Sequence, residues 1–312
     1  MNQGPGSHYI LIGGDTIIKA GFIGPGKVGV SLARYFKHRN IDVSGFFGRN
    51  EISVNEAADM INVKAFSSIE ELLENSNLIF ITTPDDIIPE MDKLISKYKL
   101  SGKIVCHNSG SLKSDVLSNA EKSGALIYSI HPIFAFSDKF TDIEKLKNIY
   151  FSVEGKHTEE SSVIISFMNK LGNKYFVRGA DSSSAYHLAS VVVSNLALSL
   201  FNIGGSYLEA LGLSKDEAFD ALYPLVVGNI ENIRKNGYTG ALTGPVARGD
   251  VIPVEKHLSV INEKDKDIYK TLSINLMKLV AERDFGENTG IEELIGKSEK
   301  YMDLYKILGG TE

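Results

Sequence analysis

Tryptophan is absent from the chain, and cysteine occurs once, as Cys106. A single thiol excludes an intramolecular disulfide and fits a reducing compartment, with the cytoplasm as the expected location. At the end of the apolar run "GKIVC", Cys106 reads as a small core residue rather than a nucleophile. No basic run of five or more residues is present, and 33 Lys and Arg against 39 Asp and Glu leave a net charge of −6. Nucleic acid and anionic membranes are therefore not expected partners. No uninterrupted apolar stretch reaches the ~18 residues that a membrane span needs. The nearest, "VVVSNLALSLFNIGG", is cut by Ser, Asn and Gly. No basic segment followed by an apolar core marks the start, so no signal peptide is expected. Residues 1–16 read as an unstructured lead-in, and no metal site is expected.

From residue 17 onward, short apolar runs alternate with helical patterns. "IIKAGFI", "DVSGFFG", "NLIFITT", "KIVCHNS", "ALIYSIH", "IYFSVEG" and "NKYFVRG" read as strands. The continuous apolar runs among them suit strands buried on both faces of a parallel sheet. Such alternation over ~160 residues predicts a doubly wound α/β domain over 17–179. After 180 strand punctuation stops. "SSSAYHLASVVVSNLALSLFNIGGSYLEALG" predicts one helix of about eight turns. Ser214 with Glu217 opens the next helix as a capping box, and two or three more helices follow. The second domain, 180–312, is thus expected to be all-helical.

"GFIGPGKVGVSLARYF" carries Gly24, Gly26 and Gly29 in G-x-G-x-x-G spacing between a strand and a helix, the context a dinucleotide fingerprint requires. Gly24, Pro25, Gly26, Lys27, Val28 and Gly29 form the candidate diphosphate cradle, with the anion on the helix N-terminus. The second strand ends "FFGRN", without the acid that would hold an NAD ribose. Arg49 can pair with a 2′-phosphate, and Asn50 and Ser53 can add hydrogen bonds, so NADP is the expected cofactor.

Ligands of open α/β sheets lie beyond the carboxyl ends of the strands. Thr82, Thr83 and Pro84 of "TTPDD" are expected along the nicotinamide ribose, with Asp85 and Asp86 as a helix start. Ser109 of "HNSGS" is expected at the nicotinamide or substrate, and His107 as a strand cap. His131 of "HPIFAF" is the leading proton donor, because a free imidazole titrates near neutrality. Ser183, Ser184, His187, Ser190 and Ser194 share a stripe of the long helix and suggest a wet cavity, with His187 the second acid/base candidate. In "GALTGPVARGDVIPVEKHL", read as a punctuated loop leading into a helix, Thr243 and Arg248 are candidate substrate holders, and Asp250 can cap the next helix.

Taken together, "GFIGPGKVG", "FFGRN", "TTPDDII", "HNSGS", "HPIFAF" and "ALTGPVARGD" resemble a family of two-domain NADP-dependent oxidoreductases. Its architecture is similar to that of pyrroline-5-carboxylate reductase and, more distantly, of prephenate, 6-phosphogluconate and ketopantoate dehydrogenases. The resemblance implies a Rossmann-like, mainly parallel sheet followed by a helical domain like the C-terminal one of 6-phosphogluconate dehydrogenase. His131 matches a substrate-contacting histidine of prephenate dehydrogenases, and the segment with Thr243 and Arg248 matches the active-site loop of pyrroline-5-carboxylate reductase. The catalytic lysine of β-hydroxyacid dehydrogenases has no counterpart, since no lysine lies between 175 and 214.

The expectation is an NADP(H)-dependent reductase or dehydrogenase of a small carbonyl, imine or hydroxy acid. A non-catalytic NADP sensor and an F420-dependent enzyme are the alternatives. The apolar helix needs cover, so a homodimer through residues 182–211 is expected.

Overall fold

The computed structural model describes residues 18–310; the lead-in 1–16 lies outside the described residues. The chain forms one compact unit that ends at Leu196 and a second that starts at Ala197.

In the first unit the strands are β1 (Lys19–Ile23), β2 (Asp42–Phe47), β3 (Lys64–Ala65), β4 (Leu78–Ile81), β5 (Ile104–His107), β6 (Leu126–Pro132), β7 (Phe151–Gly155) and β8 (Tyr175–Val177). The helices are α1 (Lys27–His38), α2 (Glu51–Ile61), α3 (Ile69–Glu74), α4 (Ile88–Ile95), α5 (Ser118–Lys122), α6 (Ile143–Leu146), α7 (Val163–Leu171) and α8 (Ser183–Val191). The strands form a single sheet in the order β3-β2-β1-β4-β5-β6-β7-β8. β1 to β6 are parallel; β7 runs antiparallel to β6, and β8 parallel to β7.

The side-chain period of two explains the layering. Phe22, Phe46, Phe80, Cys106 and Tyr128 face one way, under α1, α2 and α7. Ile23, Ile79, Ile81, Val105 and Ile127 face the other, under α3, α4 and α5. Phe22 stacks on Phe80 with ring centroids 5.4 Å apart, at the centre of the first layer. Removing one such ring would cost about 3–5 kcal/mol. Because β1 lies between β2 and β4, the chain reverses direction across the sheet there. In open α/β sheets ligands bind outside the carboxyl ends of the strands at such a switch point, here those of β1 and β4.

The long helix is continuous from Ala180 to Glu209. It is not uniformly α: Val192–Leu196 form a π turn. Ser190 donates to Tyr186 O and Ser194 to Ser190 O, and such back-bonding competes with the ordinary ladder. Despite its polar interruptions the helix is long and apolar enough to cross a membrane, and only 6% of its most apolar window is buried. That corrects the expectation drawn from uninterrupted runs.

The second unit contains α9 (Ala197–Glu209), α10 (Lys215–Gly240), α11 (Gly244–Arg248), α12 (Val251–Val260), α13 (Glu263–Phe285), α14 (Ile291–Lys297) and α15 (Glu299–Ile307). The capping box of Ser214 and Glu217 opens α10 as expected. More helices follow it than the sequence pattern indicated. The segment read as a loop forms α11, which begins at Gly244–Pro245 and ends at Gly249 (φ 72°). Val246, Ala247, Val254, Met277, Val280 and Leu304 make the core of this unit.

Candidate functional site

The glycine loop stands at the carboxyl end of β1. Gly24 holds φ 108°, a region glycine favours, and its N–H donates to Phe47 O at 2.8 Å, tying the loop to the end of β2. Gly29 is imposed by packing, since a Cβ there would stand 2.5 Å from both Gly24 O and Thr82 Oγ1. Gly26 is different. A Cβ there would meet only Thr82 O, at 3.9 Å, and its φ of −80° suits any residue. Nothing in the protein demands glycine at this position, whereas close approach of a diphosphate would. No side chain caps α1 and no acid lies in its first turn, so its N-terminal N–H groups favour an anion. Lys27 beside them is exposed, while Val28 packs on the sheet.

Pro25 rests against Gly48, where a Cβ would stand 2.9 Å from the proline ring. This contact lays the turn after β2 alongside the cradle. Arg49 is exposed there and makes no hydrogen bond or ion pair among the described residues. Asn50 is partly committed to the fold, because its Oδ1 accepts from Ser53 N at 2.9 Å and caps α2. Only its Nδ2, with the Ser53 hydroxyl, is left for a ligand.

The loops after β4 and β5 commit several of the candidate side chains to the fold. The Thr82 hydroxyl donates to Gly24 O at 2.7 Å and so fastens the cradle. Ser109 Oγ donates to Asp85 Oδ2 at 2.7 Å and accepts from the N–H groups of Ser111 and Leu112. Its hydroxyl therefore joins the two loops. Asp85 starts a helical turn as expected, behind the exposed Pro84, but also takes the Ser111 hydroxyl at 2.7 Å. His107 is buried; its Nδ1 accepts from Ser109 N, and its Nε2 donates to Lys113 O. Burial pushes its pKa down, so it is a neutral fastener.

Among the described residues, two buried side-chain polar atoms lack a hydrogen-bond partner: Thr83 Oγ1 and Asn108 Oδ1. Asn108 Nδ2 donates to Ile130 O at 2.6 Å, which fixes the amide orientation and leaves Oδ1 as a bare acceptor. An orphaned buried acceptor costs about 1–3 kcal/mol, and a carboxamide N–H would satisfy it. Both atoms sit just past strand carboxyl ends, Thr83 after β4 and Asn108 after β5. Together with the open face of Gly26, they fit a nicotinamide dinucleotide.

His131 is half-buried near the end of β6. Gly110 lies under its ring: a Cβ there would stand 3.2 Å from Cε1 and Nε2. Nδ1 hydrogen-bonds with the Tyr186 hydroxyl, and the rings meet edge-on at 5.5 Å. Burial first, then the charges of His187 and Arg178, push the His131 pKa down to about 4. The imidazole is thus neutral at pH 7, contrary to the expectation of a group poised near neutrality. His187 is close enough to act on His131 electrostatically, and is itself exposed.

Of the serine stripe, Ser183 is buried and accepts from Arg178 Nη1, Ser184 is exposed, and Ser190 and Ser194 bond back to the helix. Thr243 and Arg248 belong to the second unit. Thr243 is the N-cap residue of α11, and Arg248 Nε pairs with Asp250 Oδ2 at 2.7 Å. Asp250 occupies the N-cap position of α12, but its carboxylate serves Arg248 and makes no cap bond.

Tyr186 and Arg178 were not among the candidates from sequence. Tyr186 adjoins His187 on α8, yet only the tertiary structure turns it toward β6. Arg178 is buried. It donates through Nε to Ser152 Oγ at 2.8 Å, through Nη2 to Ser129 Oγ at 3.1 Å and through Nη1 to Ser183 Oγ. Its guanidinium lies 5.1 Å from the Tyr186 ring centroid.

A Rossmann-like domain profile matches residues 13–132, and the profile of DUF2520, a domain of unknown function, matches residues 149–276. No functionally curated protein matches the sequence. Among solved structures the chain is similar to protein TM1727 from Thermotoga maritima, at 27% identity and TM-score 0.66 over 84% of this chain and 98% of that one. It is similar to BF3122 from Bacteroides fragilis, which carries a provisional NADP oxidoreductase name, at 20% identity and TM-score 0.66 over 83% and 97%. It is also similar to pyrroline carboxylate reductase from Plasmodium falciparum, solved with NADP bound, at 16% identity and TM-score 0.55 over 86% and 98%. The two profile matches thus follow one another along the chain, the first over β1 to β6 and the second from β7 into the helices of the second unit.

Proposed function

We propose that this protein is an NADP(H)-dependent oxidoreductase acting on a small carbonyl, imine or hydroxy acid. The observation that carries the reading is Gly26, a glycine the protein does not need, beside uncapped helix N–H groups at the β1/β4 switch point. Similarity to proteins named for NADP, one of them solved with NADP bound, supports the same cofactor.

In this reading Gly24–Gly29 receive the diphosphate, Arg49 with Ser53 and Asn50 Nδ2 receives the 2′-phosphate, and Thr83 and Asn108 meet the nicotinamide side. NADPH supplies a hydride when bound. The protein's part is to place the substrate carbon and to provide a proton for the heteroatom, with His131 at that position. Calorimetry with NADPH and NADH tests the reading: tight binding with preference for NADPH is expected, and no heat with either would overturn it.

We further propose a homodimer through residues 182–211. Val193, Leu196 and Leu198 are 75%, 52% and 67% exposed on this helix, and a second copy would cover them. The reducing cytoplasm suits both the cofactor and a lone buried thiol.

A further inference from the structure

We propose that Tyr186 is the proton source of the reaction, and that His131 relays its proton to the substrate under the hold of Arg178. The inference rests on the oxidoreductase reading but on different residues from those that carry it. The Tyr186 hydroxyl bonds His131 Nδ1. His131 Nε2 makes no hydrogen bond among the described residues and lies over Gly110, so it is the nitrogen left to meet a substrate. With Tyr186 donating to Nδ1, the neutral imidazole carries its proton on Nε2.

A neutral imidazole can pass a proton from one nitrogen only if the other is resupplied, and Tyr186 is positioned to do so. Burial raises the Tyr186 pKa, which keeps its proton in place at rest, while a hydrogen bond from Ser152 and then the Arg178 charge work in the opposite direction. Arg178 forms no ion pair with a carboxylate among the described residues; three serine hydroxyls fix it instead. The Glu154 carboxylate acts on Arg178 more strongly than Tyr186 does, but the Arg178 guanidinium lies 5.1 Å from the Tyr186 ring centroid and so stabilises the phenolate when one forms.

The step balances. The hydride pair forms the new C–H bond, and the C=X π pair moves onto X, where X is oxygen or nitrogen. X takes the Nε2 proton, and Nδ1 takes the Tyr186 proton. The phenolate left beside the Arg178 guanidinium then takes back the Nδ1 proton while Nε2 is reprotonated from water, which restores the starting tautomer. The groups whose charges reach His131 are Tyr186 and His187 on α8, Arg178 after β8, Asp85 after β4 and His107 on β5.

The test is nitrogen-15 histidine NMR of the full chain over pH 3.5–8, with His131→Asn used to assign the signal. The wild type should show the Nε2–H form, with Nδ1 as acceptor and a midpoint near 4. Tyr186→Phe removes a donor that stabilises the neutral ring, so the Nδ1 signal should move to that of a free nitrogen and the midpoint should rise toward 6.5. Arg178→Met should raise the titration of Tyr186, read from carbon-13 labelled tyrosine. An Nδ1–H tautomer, or a His131 spectrum unchanged in Tyr186→Phe, would overturn the relay. Failure of the cofactor reading would appear separately, as absence of NADPH heat with the relay signals intact.

Discussion

Gly110 and His131 are in face-to-face contact: the imidazole lies where a side chain at 110 would begin, with Cε1 and Nε2 3.2 Å from the missing Cβ. The loop after β5 is held rigid by the Ser109–Asp85 bond, so the ring rather than the loop must yield to any added atom. Gly110→Ala should shift His131 by a few tenths of an ångström and disturb its bond to Tyr186. A fall in kcat of about tenfold is expected, with the NADPH dissociation constant within about twofold of wild type. Steady-state kinetics on any accepted substrate, together with calorimetry, check this.

Gly26 and Gly29 should respond in opposite ways to alanine. Gly29→Ala drives a Cβ into Gly24 O and Thr82 Oγ1 and should cost about 1–3 kcal/mol of stability, seen as a lower urea midpoint. Gly26→Ala meets open space, so its urea midpoint should match or exceed wild type. Its affinity for NADPH should nevertheless fall at least tenfold. Loss of stability without loss of affinity at Gly26 would contradict the cradle.

Arg49 bears no internal load. Arg49→Ala should leave the melting temperature unchanged and weaken NADPH by about 10–100-fold, the worth of a charge-assisted hydrogen bond. NADH affinity should stay where it was. Calorimetry with the two nucleotides separates a 2′-phosphate contact from a general loss of positive charge.

Stability should fall on acidification. His131 titrates near 4 when folded and near 6.5 when unfolded, so between these values the unfolded chain binds more protons. Stability is then complete above about 6.5 and lost as pH falls toward 4. The contribution is at most about 3 kcal/mol. His107, lowered in the same direction by burial, adds to it. Urea midpoints across pH 4–7 should slope less steeply in His131→Gln than in wild type.

The exposed stripe of the long helix predicts association. Light scattering after size exclusion should give twice the chain mass at micromolar concentration. Leu198→Asp should give a monomer. A monomeric wild type that partitions into lipid vesicles would instead point to a membrane as the cover.

The strands and their order of appearance were legible because each is a short apolar run closed by polar residues, and the glycine loop because a strand and a helix flank it. Isoleucine and phenylalanine at alternating positions, as in Phe22 and Ile23, specify two buried faces. The two-residue β3 was not legible, since Lys64–Ala65 carries no period at all. The π turn at Val192–Leu196 was not legible, since apolar spacing alone does not distinguish it from ordinary helix. The segment around Thr243 read as a loop because Gly244, Pro245 and Gly249 obscure a helix of five residues.

Local sequence by itself determined where the chain turns, which residues cap its helices and where an anion can rest, because these depend on neighbours within a few positions. Tertiary structure alone decided the chemistry around β6. Tyr186 is 55 positions from His131, and Arg178 reaches Ser129 across 49; no spacing rule links such residues. Only the antiparallel return of β7, the register of β8 and the packing of α8 bring them together. Burial in that packing, rather than the identity of the residue, keeps the imidazole neutral.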